Sequence, residues 1–193
     1  MVSSDRRVRK TRDVLRKSLI DLMKGKNISS ITVKELCEKA DINRGTFYLH
    51  YKDVFHMLEE IEKELFEEFE KVILAHKISP DKIETKPIIK DIFTFIGQNS
   101  DFYMVILCER GDMVFVKKIV SLIYDRGYND WSNIFKTKDK DLFEKYYSFI
   151  LYGAIGLIDY WVRHGLKESP EDMALLTESI ILNGLKSVNL INL

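Results

Sequence analysis

The chain has 193 residues, 46% apolar and 31% charged, with nine glycines and three prolines, which excludes a disordered or collagen-like chain and leaves one or two globular domains. Thirty Lys and Arg balance thirty Asp and Glu, so net charge excludes nothing, but its distribution is uneven. Residues 1–54 carry 13 basic against 7 acidic side chains, and the remainder 17 against 23; a basic head on an acidic body fits a nucleic-acid-binding domain joined to a second unit.

Few turn-forming residues among many Leu, Ile, Lys and Glu predict an all-α fold, because strand-rich folds need a turn every ten residues or so. The segment MVSSDRRVRKTRDV has basic residues but no apolar stretch behind them, so neither a secretion signal nor an anchor is expected and the protein is expected in the cytoplasm. The apolar run Phe149–Val162 is interrupted by Asp159 and is shorter than the roughly 20 residues of a spanning helix, so no membrane partner is expected. Cys37 and Cys108 stand alone and read as reduced packing residues.

In chain order, Val14, Leu15, Leu19, Leu22 and Met23 form one apolar stripe of a first helix, expected to end at Gly25 in a left-handed cap. Thr32-Val33-Lys34-Glu35 fits a capping box, which starts a second helix of two turns ending near Ala40. After Asp41-Ile42, Asn43 is a good N-cap for a third helix to about Tyr48. Two short helices so joined make a helix-turn-helix. From Asp53 a long helix follows, with Phe55, Leu58, Ile61, Leu65, Phe69 and Val72 on one face; it is expected to stop before Ser79-Pro80. Helix-like spacing returns at Pro87–Gln98, Asp101–Glu109, Asp112–Arg126, Asp141–His164 and Pro170–Val188, with breaks expected at Gly111, Gly127 and Gly165. Ser169 and Pro170 open the last helix as N-cap and first residue.

The run Arg44, Gly45, Thr46, Phe47, Tyr48, Leu49, His50 and Tyr51, behind the capped short helix and with Thr11-Arg12 opening helix 1, closely resembles the recognition helix of the tetracycline-repressor (TetR) family of transcriptional regulators. The Asn43-Arg44 start is similar to a branch of that family common in Gram-positive bacteria. The resemblance implies a three-helix DNA-binding domain over residues 1–54, joined by a long helix to a helical dimerisation and effector-binding domain over residues 55–193. Its partners would be double-stranded operator DNA, a second copy of the chain and a small-molecule effector. A helix in the major groove must reach base edges and phosphates. Arg44 can bridge guanine O6 and N7, Gly45 lets the backbone approach, and Thr46 suits a thymine methyl or a phosphate. By resemblance Tyr48 and His50 hold phosphate; Lys52 adds charge, and Lys34 and Thr32 on helix 2 reach DNA beside Asn43. The basic stretch Arg6, Arg7, Arg9, Lys10 and Arg12 reads as an arm that follows phosphates or enters the minor groove. Phe47 and Tyr51 read as core, and the six-residue spacing of His50 and His56 does not suit a metal pair.

Two positions depart from the family pattern. Asp41 stands where a glycine is usual and tolerates the left-handed conformation better than most residues. Val54 stands where a lysine is usual; losing that phosphate contact predicts weaker, less salt-sensitive binding without a change of operator.

In the second part, Asp141–His164 and Pro170–Val188 match the two helices that pair TetR-like proteins into a four-helix bundle. The first carries Phe149, Gly153, Gly156 and Leu157, and the second Leu175, Leu176, Ile180, Ile181 and Leu185. The acidic balance favours a neutral or cationic effector. An effector would act by binding one separation of the two DNA-binding heads better than the other. The competing reading is a TetR-shaped protein-interaction adaptor with weakened DNA binding, suggested by Asp41 and Val54. No nucleophile–base pair, metal cluster or phosphate loop stands at meaningful spacing, so neither an enzyme nor a cofactor is expected.

Overall fold

The computed structural model describes residues 2–76, 85–105, 113–135 and 140–187. Among these residues the regular elements are nine α-helices and one 3-10 turn, with no strand: α1 Val2–Met23, the turn Ile28–Ser30, α2 Val33–Ala40, α3 Arg44–Tyr48, α4 Val54–Leu74, α5 Lys86–Gln98, α6 Ser100–Tyr103, α7 Met113–Phe135, α8 Lys140–Arg163 and α9 Pro170–Ser187. The all-α expectation holds.

The first core cluster joins Leu15, Leu19 and Met23 of α1 to Leu36, Phe47 and Tyr51, and to Val54, Met57, Ile61 and Leu65 of α4. Phe102, Val105 and Phe115 close it from the second half of the chain. The second cluster lies among α5, α8 and α9, around Phe93, Phe143, Trp161 and Ile181. Phe95 packs against both, so a continuous apolar interior connects the helix-turn-helix to the rest of the molecule.

Several expectations are corrected. The basic stretch Arg6–Arg12 lies within α1, which begins at Val2, ahead of the expected apolar stripe. Gly25 does not cap α1 in a left-handed conformation, since Gly165 is the glycine with positive φ among the described residues. Phe55 is 51% exposed and Val54 is 3% exposed; Val54, Met57 and Ile61 carry the inward face of α4, and Phe55 lies one step round the helix from it. Gly127 does not break a helix, for α7 runs through it. A Cβ there would lie 2.1 Å from the Tyr147 hydroxyl, which donates to the Ile123 carbonyl at 2.9 Å. The glycine is a packing requirement.

Gly165 does end α8 with φ +82°. The Leu166 N–H donates to the Trp161 carbonyl and the Gly165 N–H to that of Val162, the paired bonds of a Schellman motif. Ser169 caps α9 as expected: its Oγ accepts from the Asp172 N–H at 3.1 Å and donates to the Asp172 carboxylate at 2.6 Å. Gly111, Ser79-Pro80, Cys108 and Val188 lie outside the described residues.

Candidate nucleic-acid interface

Each short helix of the helix-turn-helix is fixed by a side-chain cap. Thr32 Oγ1 accepts from the Glu35 N–H at 3.2 Å, while the Glu35 carboxylate pairs with Lys26 Nζ rather than closing the capping box. α2 ends at Asp41, whose φ of 53° and ψ of 45° are left-handed. The Ile42 N–H donates to the Cys37 carbonyl and the Asp41 N–H to that of Glu38, so Asp41 fills the place that glycine takes in a Schellman turn. The departure from the family pattern leaves the turn intact.

Asn43 then starts α3, its Oδ1 accepting from the Gly45 N–H at 2.7 Å. A Cβ on Gly45 would lie 3.2 Å from that same Oδ1, so glycine here makes room for the cap as well as leaving the backbone uncovered. Because Asn43 Oδ1 is committed to the cap, its first role is to set the direction of α3.

The five residues of α3 divide sharply by exposure. Phe47 is fully buried and meets Tyr48 edge-on and Tyr51 at a tilt. Arg44 and Gly45 are exposed, Tyr48 is 57% exposed and Leu49 80% exposed. Thr46 and His50 are half-buried, and Thr32, Lys34, Asn43 and Lys52 are exposed. All nine sequence-predicted site residues therefore retain solvent-accessible surface, while Phe47 and Tyr51 are core, as their pattern predicts. Sequence reasoning does not single out Leu49; an apolar side chain left in water at the C-cap of α3 is its signal, and only the structure displays it.

The charges around this surface have distinct neighbours. Lys34 lies 4.0 Å from Glu38, one turn along α2. The Lys52 N–H donates to His56 Nδ1 at 3.3 Å, and the His56 N–H donates to Asp53 at the start of α4. His56 thus belongs to the junction leading into α4, and the described residues contain no cluster of three or more metal-ligating side chains. Burial pushes the Cys37 thiol up from its ordinary pKa, against the opposing field of Arg44, so this free, buried cysteine stays protonated and inert.

A family model described as the C-terminal region of TetR-type transcriptional regulators matches residues 84–183. The chain belongs to the TetR family. Its members are transcription factors and not enzymes, which agrees with the sequence reading. Among curated proteins, this TetR-family chain is 23% identical over 162 residues to an uncharacterized HTH-type transcriptional regulator, YxbF, of Bacillus subtilis (strain 168). The match takes in 81% of the chain and 41% of the relative, so the chain spans about two fifths of that relative's length. Among solved structures, the TetR transcriptional regulator of Streptococcus agalactiae 2603V aligns with a TM-score of 0.59 at 22% identity, covering 93% of this chain and 98% of that one. A TerR/AcrR-family transcriptional regulator of Aquifex aeolicus VF5 aligns at 0.61 with 15% identity, over 92% and 99%. These structural likenesses establish the TetR fold. No described helix is long and apolar enough to cross a membrane.

Proposed function

We propose that this TetR-family regulator is a homodimeric repressor that binds a palindromic operator through α2 and α3 and is released by a small-molecule effector. The observation that carries the reading is the division of α3, with Phe47 buried, Arg44 and Tyr48 in solvent, and Leu49 exposed at its C-cap. A short helix anchored by one aromatic and presenting a guanidinium, a phenol and an apolar side chain suits the major groove. Arg44 reads a guanine edge, and Thr46 and Leu49 contact thymine methyls or sugars. Tyr48, His50, Lys52, Lys34 and Thr32 hold phosphates on either side, while Asn43 and Gly45 bring the backbone close.

Residues 1–54 act as the DNA-binding head and 55–193 as the dimerisation and effector-binding body. Support for the dimer comes from α8 and α9, which leave Phe149, Tyr152, Tyr160, Leu175, Leu176 and Ile180 exposed. Gly153 and Gly156 sit among them with open space where a Cβ would be, which allows a second helix to approach closely. Covering such a face recovers roughly 25 cal/mol for each Å² of apolar surface removed from water.

An effector in the body acts on the heads through the joint between α1 and the α5–α6 corner. There Lys24 Nζ pairs with Asp101 at 2.8 Å and Arg16 donates to Asn99 at 3.2 Å. Moving α6 moves α1, and an effector that favours one position of α6 favours one spacing of the paired heads. Selection from random duplex DNA tests the reading. Enrichment of two half-sites related by two-fold symmetry supports it, and recovery of no common sequence overturns it.

A further inference from the structure

A cavity of about 140 Å³ lies between α4, α5, α7, α8 and α9. We infer that this cavity takes a compact, uncharged, apolar molecule, of the aromatic or cyclic hydrocarbon class and of about six to nine non-hydrogen atoms. The inference rests on the effector reading above and names the ligand class of its site.

Size gives the first argument. An apolar cavity of roughly 150 Å³ stays dry and accepts benzene. A molecule near the size of toluene matches the space between wall side chains such as Ile88, Ile92, Ile123 and Ile158.

Chemistry gives the second. Among the described residues the wall contains five polar side chains, His76, Thr85, Arg126, Tyr147 and Thr177, and each is engaged within the chain. The Tyr147 hydroxyl donates to the Ile123 carbonyl at 2.9 Å, that of Thr177 to the Met173 carbonyl at 2.7 Å, and that of Thr85 to Glu178 at 2.9 Å. His76 Nε2 lies 2.8 Å from Asp91, and Arg126 also has its own partner in the chain. Among the described residues no carboxylate lines the cavity, and neighbouring Glu178 additionally accepts from the Lys86 N–H at 2.8 Å. A cation would therefore meet no counter-charge among the described wall residues, and an anion would have to draw His76 away from Asp91 or reach Arg126 across an otherwise apolar wall. Either would leave water without compensation. An uncharged hydrocarbon asks nothing of these groups.

Isothermal titration of the full chain with toluene, benzoate and benzylamine tests this. The expected result is toluene binding at one site per protomer, at least about tenfold tighter than either charged analogue. Ile88→Trp, which places an indole in the cavity, is expected to weaken toluene by at least about tenfold; Ile92→Phe repeats the test from a second wall position should the first variant not fold. Benzoate binding more tightly than toluene, with the advantage lost in Arg126→Met, overturns the inference. So does the absence of toluene binding up to its solubility limit, or toluene binding unchanged by both filled cavities. A gel shift with operator DNA separates the two readings. Toluene bound without operator release leaves the cavity inference standing and removes the effector reading; operator release by benzoate alone does the reverse.

Discussion

The Arg12 guanidinium donates from Nε to the Tyr51 hydroxyl at 3.0 Å and from Nη2 to the Glu64 carboxylate, joining α1, the chain leaving α3, and α4 at one point. The guanidinium also lies 5.8 Å from the centre of the Tyr51 ring. Tyr51 in turn packs on Phe47, the buried anchor of α3. Arg12 thus braces the helix-turn-helix from inside.

Arg12→Ala is therefore predicted to lower stability by about 1 kcal/mol, a figure held down by the half-exposed position of the pair. It should also weaken operator binding, because α3 loses part of its support. The slope of log affinity against log salt should stay unchanged, whereas loss of a phosphate contact would reduce it by about 0.9. Urea unfolding and salt-titrated anisotropy together decide between brace and phosphate ligand.

At Val54 the balance runs the other way. Val54→Lys restores the lysine usual in the family and is predicted to steepen the salt slope by about 0.9 by adding one phosphate contact. Because Val54 is 3% exposed in the first core cluster, the exchange should also cost about 1–2 kcal/mol of stability, with the lysine stem retaining part of the apolar contact. Anisotropy at several salt concentrations and urea midpoints measure both effects.

The left-handed turn at Asp41 gives a prediction of opposite sign. Asp41→Gly should raise stability by about 0.5–1 kcal/mol, since glycine adopts φ near 53° without a Cβ clash. Asp41→Ala should lower it by a similar amount. The urea midpoints of the two variants bracket the wild type if backbone conformation governs this turn.

Glu171 predicts a pH dependence. Side-chain hydrogen bonds from Lys86 and Lys90, at 2.5 and 2.7 Å, lower its pKa from 4.5 to about 2. Between those values the folded state binds fewer protons than the unfolded state, so the contribution to stability is complete above about pH 4.5 and is lost as the pH falls through about 2. The gap in urea midpoint between wild type and Glu171→Gln should be widest above that range and close within it. Added salt should narrow it at every pH, because the ion pair lies at the surface.

These residues also mark how far the sequence could be read. The helix-turn-helix was legible because its determinants are local: Thr32 and Asn43 cap helices three and two residues downstream, and the alternation of Phe47 and Tyr51 with polar neighbours identifies the buried side. The extension of α1 back to Val2 was not, since residues before Val14 carry no apolar stripe. Nor was the role of Arg12, whose partners lie 39 and 52 residues away. Gly127 resembled a break because its partner, the Tyr147 ring, comes from another helix. The cavity is likewise assembled from five helices, and no spacing in the chain announces a space between them.

Whether the exposed face of α3 reads operator DNA is decided by a gel-shift titration of wild type and Arg44→Ala against the DNA flanking the protein's own gene, at two salt concentrations. The expected result is a discrete wild-type complex that survives the higher salt and is lost or weakened by about 1–3 kcal/mol in Arg44→Ala. Equal binding by the two proteins to operator and unrelated DNA, fading alike as salt rises, would contradict it and bring the protein-interaction adaptor reading forward.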